Sequence, residues 1–179
     1  MAAATLATAA LLAAGCGGSD GESSSSDASP ASEWADGLCS AISTWTSSIA
    51  SIGDSIKGGD ISRESLTGAV DDAKSATETF TSDLDSLGRP DTDAGQQAKE
   101  SIDQLSSELK DEVATIEEEL DGASGITGII AAIPAITTAL SNMGTQVGTA
   151  ISGLESVDAK GELESAFENA SSCDELAGS

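Results

Sequence analysis

Apolar side chains recur every three or four positions through most of this chain, a period typical of helices that bury one face. Four long stripes of this kind run over residues 34–56, 66–87, 98–120 and 126–154. A shorter stripe follows at Leu163, Phe167, Ala170 and Cys173. β-Branched residues show no sustained alternation with a period of two, so the pattern predicts helices throughout.

Capping residues and glycines set the predicted helix boundaries. Side chains that cap helix N-termini precede three of the stripes: Ser32, Asp60 or Ser62, and Asp93 with Gln96 three residues later. Glycines end the first three stripes, at Gly58, Gly88 and Gly122. Each long helix is about 25–31 residues, or roughly 40–45 Å, and short connections favour antiparallel neighbours. The sequence therefore predicts an all-α domain over residues 33–177, an up-down-up-down four-helix bundle with a short C-terminal fifth helix.

The fourth stripe lies in a segment without charge, because residues 122–154 contain no Asp, Glu, Lys or Arg. Nearly all of its large apolar residues fall within about 60° of one direction on a helical wheel, and Ile130 is the outlier. Thr and Asn side chains occupy the opposite face, which predicts an amphipathic helix packed on protein and not a membrane span. Pro134 lies on the outer face, where we expect a kink in one continuous helix; the alternative is that Pro134 is the first residue of a new helix.

The N-terminal 32 residues have a different pattern. An apolar, Ala-rich run over residues 2–12 precedes Ala13, Ala14, Gly15 and Cys16, and a Gly/Ser-rich run over residues 17–32 follows. The run LLAAGC resembles the export signal of bacterial lipoproteins. The resemblance implies a signal peptide over residues 1–15, a diacylglyceryl group on Cys16 and a flexible tether over residues 16–32.

This segment departs in one respect from an export signal, and it has an alternative interpretation. Neither Lys nor Arg precedes Cys16, which would fit a start codon that lies further upstream. An Ala-rich N-terminus with an incidental cysteine is the alternative interpretation. As a lipoprotein, the chain would be anchored through Cys16 at the extracytoplasmic face of the bacterial cell membrane.

The cysteine count bears on the same interpretation. The chain has three cysteines, so a lipid on Cys16 would leave Cys39 and Cys173 as one pair. An exported chain keeps such a pair oxidised, and four antiparallel helices would return the chain to the end where Cys39 lies. Two buried free thiols are the alternative.

The chain is strongly acidic, with 31 Asp and Glu residues against 7 Lys and Arg residues and a net charge of −24. Nucleic acid is excluded as a partner because its binding depends on Lys and Arg at the phosphates. An anionic membrane surface would also repel the domain, which favours attachment by covalent lipid. The acidity serves solubility, or it attracts cations or a basic partner.

Catalytic and metal-binding motifs are missing from the sequence. The chain has no His, no G-x-S-x-G motif and no phosphate-binding loop. Consecutive acids such as Asp71 and Asp72 point to different helix faces and lack the spacing of a calcium loop. We therefore expect no enzyme activity, no metal site and no cofactor.

The bundle topology predicts one distinctive surface at the end farthest from the membrane. It collects acidic residues, with Asp54, Asp60 and Glu64 beside a central set that we call the acidic tip: Glu117, Glu118, Glu119, Asp121 and the poorly buried Ile126. An acidic rim around an apolar spot, which Ile130 could extend, is suited to docking a protein. The sequence thus predicts a tethered, non-enzymatic interaction module of the cell envelope. The alternative is a carrier of a lipid or small hydrophobic ligand between the bundle helices.

Overall fold

The structure, a computed structural model, describes residues 29–58 and 62–177. These residues are all-helical and contain no strand, and their six helices pack together. The helices are α1 (Pro30–Gly58), α2 (Arg63–Leu87), α3 (Gly95–Gly122), α4 (Gly125–Val157), α5 (Glu162–Glu168) and α6 (Ser171–Ala177). The predicted all-α class is confirmed.

One of the predicted helix starts is confirmed in detail. Ser62 is the N-cap of α2, and its Oγ accepts a hydrogen bond from the Ser65 amide at 3.1 Å. The Ser62 amide in turn donates to Ser65 Oγ at 3.2 Å, which completes a capping box. At the other end, Gly88 follows the last residue of α2 with a φ of 65°. Glycine adopts this left-handed conformation without a steric penalty.

Two other predicted caps are wrong. Helix α1 begins at Pro30, before Ser32, because proline at the first helical position loses no intrahelical hydrogen bond. The side chain that caps this end is Ser29, whose Oγ accepts from the Ser32 amide at 3.2 Å. Asp93 does not cap α3, because its carboxylate forms an ion pair with Lys160.

The apolar stripes of the four long helices meet in one core. Trp45 and Phe80 belong to this core, stacked with ring centroids 5.2 Å apart, and both are buried. The indole Nε1–H of Trp45 donates to Thr77 Oγ1 at 3.3 Å, so its single polar group is satisfied within the core. Aliphatic residues fill the rest, including Leu38, Leu84, Leu109, Ile116, Ile136, Met143 and Leu154.

Helix α4 is continuous through Pro134, which confirms one helix and not two. Proline at this position removes the helical hydrogen bond to the carbonyl of Ile130, and both residues are exposed. By length and composition, Gly125–Leu154 is the one helical stretch of the described residues that could cross a membrane, with a mean hydropathy of 1.5. Its apolar face is nevertheless buried in the protein core, where α4 packs on α3.

The C-terminal stripe forms two short helices, so the prediction of a single fifth helix is wrong. The chain breaks at Asn169, whose Nδ2 donates to Ser165 O at 2.6 Å. Helix α6 then starts under the carboxylate of Asp36 from α1, whose Oδ1 accepts from the Ser172 amide at 2.9 Å. An acceptor supplied by a distant helix therefore caps the start of α6, and local periodicity does not reveal such a contact.

Contacts between helix ends define two clusters. At the first, Trp34 Nε1–H donates to Gly88 O at 3.2 Å, which joins the start of α1 to the end of α2. The second joins the start of α2 to the end of α3 through the side chain of Arg63. We call the first cluster the disulfide end, since Cys39 and Cys173 lie there. The second cluster contains the acidic tip.

Candidate functional site

The acidic tip is built around a tight connection between α3 and α4. Helix α3 ends as the Ala123 amide donates to Leu120 O at 3.2 Å, and α4 begins two residues later. Gly125 has a φ of 64°, a conformation that costs other residues free energy. A Cβ on Gly128 would lie 3.2 Å from the carbonyl carbon of Ala123, so the turn folds back closely on itself.

Arg63 joins this connection to the start of α2 through hydrogen bonds. Its guanidinium donates to Leu120 O at 3.3 Å through Nη1 and to Ala123 O through Nη2. A cation at the C-terminus of α3 also complements the negative end of the helix dipole. This contact was not predicted from the sequence. The available signal was an arginine directly after the predicted N-cap Ser62, at the first position of α2.

The acidic residues of the tip have different surroundings. Glu117 is half-exposed and accepts a hydrogen bond from Lys74 Nζ of α2 at 2.8 Å, which raises the pKa of Lys74. Glu118, Glu119 and Asp121 are exposed on the last turns of α3. Three carboxylates of the predicted rim therefore face solvent, while the fourth also links α3 to α2.

Further acidic residues were expected beside the tip. Asp54 near the end of α1 and Glu64 in the first turn of α2 are both exposed. Asp60 lies outside the described residues. None of the four ion pairs found among the described residues involves Asp54 or Glu64.

Two isoleucines project from the first turns of α4. Ile126 is 67% exposed and Ile130 is 51% exposed, and they are the large apolar residues most accessible to solvent in the described part of the chain. They are four residues apart and so lie on one face of the helix. Ile129, between them, is 6% exposed and packs into the core. The tip thus has exposed isoleucines at the start of α4 and exposed carboxylates at the end of α3, on the two sides of the short α3–α4 connection.

The opposite cluster holds the disulfide end together. Cys39 and Cys173 form a disulfide with their Cα atoms 5.1 Å apart, in agreement with the predicted pair. Asp36 lies one turn before Cys39 and caps α6, and the hydrogen bond from the Ser172 amide lowers the pKa of its carboxyl. Trp34 packs on Phe167 of α5, with ring centroids 6.2 Å apart. Cys16, the predicted lipidation site, lies outside the described residues and stays a prediction.

Within residues 29–58 and 62–177, no group of three or more Cys, Asp or Glu side chains could hold a metal ion. Grooves on the described surface lie between neighbouring helices, and both polar and apolar side chains line them. One of about 640 Å³ between α2 and α3, for example, is lined by Glu78, Asp85, Asp103 and Lys110.

Comparison with known proteins adds no relative, since no family model, no curated protein and no solved structure matches this chain.

Proposed function

We propose that this protein is a lipid-anchored, non-enzymatic interaction module of the bacterial envelope, and that its acidic tip docks a basic protein partner. One observation carries the proposal: Ile126 and Ile130 remain 67% and 51% exposed beside three exposed carboxylates. Exposed apolar residues rimmed by charge are typical of protein-binding surfaces. The anchor would be the lipid on Cys16, followed by a tether that would end where α1 begins, at Pro30.

The four long helices would form an up-down-up-down bundle, which sets the direction in which the tip faces. Contacts between opposite helix ends support this topology: Trp34 with Gly88, and Arg63 with Leu120. In the middle of the next pair, Gln146 Nε2 of α4 donates to Glu112 Oε1 of α3 at 3.2 Å. In such a bundle the tether leaves from the disulfide end, so the tip would point away from the membrane.

The chemistry of the tip specifies the partner. The partner would carry Lys or Arg residues that pair with Glu118, Glu119 and Asp121. These basic residues would surround a small apolar pocket that accepts Ile126 and Ile130. Covering the exposed parts of both isoleucines would contribute about 2–3 kcal/mol, which is on the order of a hundredfold in affinity. The exposed carboxylates would add mainly to the association rate and to its dependence on salt.

Photo-crosslinking in intact cells tests the docking proposal. A photoreactive residue replaces Ile126 in one variant and Thr138, which is exposed further along the same helix, in another. We expect one protein to be captured from position 126 and not from position 138. Its affinity for the purified chain should fall about a hundredfold with Ile126→Ser/Ile130→Ser.

Charge variants of the tip sharpen the test. Glu117→Ser/Glu118→Ser/Glu119→Ser should weaken binding of the captured protein and reduce its salt dependence. A matched control, Asp91→Ser/Asp111→Ser/Glu168→Ser, removes the same charge from exposed positions elsewhere and should bind as the wild type does. Equal weakening by both triple variants, or capture from both positions, would contradict docking at the tip.

The anchor needs a separate experiment. Radiolabelled lipid should be incorporated into the wild-type chain and not into Cys16→Ser. Label that persists in the variant, or that is absent from both, would disprove the anchor and leave the docking test unaffected.

A further inference from the structure

A groove of about 580 Å³ runs between α1 and α2, away from the acidic tip. Trp45, Phe80 and Ile52 are the large apolar residues of its lining and form what we call its apolar floor, and the remaining lining residues are Ala, Ser, Thr and Asp, which have short side chains. On α2 the lining residues fall at positions 72, 75, 76, 79, 80 and 83, a spacing that keeps them on one helix face. The groove exists because Ser, Thr and Ala flank the seam, where longer side chains would cover it.

The hydroxyl groups of the walls are oriented by their own helices. Thr44 Oγ1 donates to Ser40 O at 2.9 Å, and Ser48 Oγ donates to Thr44 O at 3.0 Å. On the other wall, Thr79 Oγ1 donates to Ser75 O at 2.9 Å. Since these protons are directed to backbone carbonyls, the three oxygens offer lone pairs to the groove. The walls therefore accept hydrogen bonds from a ligand.

Two carboxylates complete the lining. Asp72 and Asp83 are both exposed and lie eleven residues apart on α2, about three turns or 16 Å along the helix. No Lys or Arg lines the groove, and Lys74, the nearest cation on α2, is paired with Glu117 on the side that faces α3. The four ion pairs among the described residues include neither Asp72 nor Asp83.

We propose that this groove binds a linear polyamine. The terminal ammonium groups would pair with Asp72 and Asp83, and the inner N–H groups would donate to the hydroxyl oxygens of both walls. Methylene segments would lie over the apolar floor. An anion would be repelled by the two carboxylates, and a neutral sugar would form no ion pair with them. An extended cation with donors spaced along a chain matches the length, charge and hydrogen bonding of the groove.

Titration of the full chain with spermine at physiological salt tests the proposal, with the two tryptophans as internal reporters. Trp45 lines the groove, while Trp34 lies about 16 Å away along α1, where it bonds to Gly88. In proton–nitrogen NMR spectra, spermine should shift the indole signal of Trp45 and leave that of Trp34 in place. Calorimetry should give one site per chain.

Variants with equal net charge separate this site from general attraction to an acidic protein. Asp72→Asn/Asp83→Asn should weaken spermine binding about tenfold, the size expected for losing two exposed ion pairs. The control Asp111→Asn/Glu168→Gln removes the same charge elsewhere and should stay within about twofold of the wild type, as screening at this salt predicts. Ser48→Leu/Ser75→Leu fills the groove at unchanged charge and should also weaken binding.

Three results would overturn the proposal: no binding of spermine, equal weakening by the two charge variants, or movement of both indole signals together. The thermal midpoint of each variant, measured alongside, shows whether the chain is folded. The proposal is independent of docking at the acidic tip, because its variants leave the tip residues unchanged.

Discussion

Removing the Cys39–Cys173 disulfide should destabilise the domain strongly. The bond joins α1 to α6 across a sequence separation of 134 residues. In the chain-entropy model, closing a loop of this length lowers the entropy of the unfolded chain, which stabilises the folded state by about 5 kcal/mol. For a domain of this size, that free energy corresponds to a decrease of about 10–20 °C in the midpoint of thermal unfolding. Helix content at room temperature should change little, because the aliphatic core and the Asp36 cap of α6 remain.

Thermal unfolding followed by circular dichroism measures this effect in Cys39→Ser/Cys173→Ser. Cys16→Ser is the matched control, and its midpoint should equal that of the wild type because Cys16 takes no part in the bond. Reducing agent should lower the midpoint of the wild type and of Cys16→Ser, and leave that of the double variant unchanged. A double variant that melts within about 3 °C of the wild type would refute the loop-closure argument.

Three further predictions concern the two helix-end clusters. Arg63→Gln should lower the free energy of unfolding by about 1 kcal/mol and speed hydrogen exchange in the α3–α4 connection, because the carbonyls of Leu120 and Ala123 lose a charged donor; exchange unchanged from the wild type would contradict this role. The lowered pKa of Asp36 means that the folded state binds fewer protons there than the unfolded state, so this stabilisation is present above pH 3.8 and is lost as the pH falls through the folded-state pKa. Asp36→Asn should remove this part of the pH dependence in urea titrations, and an unaltered acid limb would count against it. Gly125→Ala should destabilise by about 1 kcal/mol because of the positive φ, whereas Gly144→Ala, within α4 and with open space around it, should stabilise by about 0.5–1 kcal/mol; denaturant midpoints that move the same way in both variants would refute the distinction.

The helices were predictable from sequence because their signals are local. Each apolar stripe carries its own period, and Ser62 and Gly88 act on residues within one turn. The division between α5 and α6 was not predictable in this way, since Asp36 lies 136 positions before the Ser172 amide that it accepts from. The same holds for Asp93, whose ion pair with Lys160 connects residues 67 positions apart.

In the candidate site too, local features were predictable from the sequence and contacts between helices were not. On the helical wheel of α4, Ile130 lies away from the direction shared by the other large apolar residues, and Ile130 is half-exposed in the fold. The surroundings of Glu117 could not be read from the run of three glutamates, because Lys74 comes from another helix. The groove between α1 and α2 could not be predicted either. Each of its walls is a hydroxyl-rich helix face, and the groove forms only when the two helices pack side by side.

The use of the few basic residues connects the fold to both proposed binding surfaces. Lys74 and Lys99 pair across α2 and α3, Arg63 caps α3 from α2, and Lys160 joins two connections. Four of the seven cations in the chain are thus used to hold elements together, against 31 acidic residues. Internal pairing cannot neutralise such a surface, so its remaining carboxylates must be screened by salt or paired with cations from outside. In the two proposals, Asp72 and Asp83 with the apolar residues of the groove, and the exposed tip carboxylates with Ile126 and Ile130, would give a cationic ligand apolar contact in addition to charge.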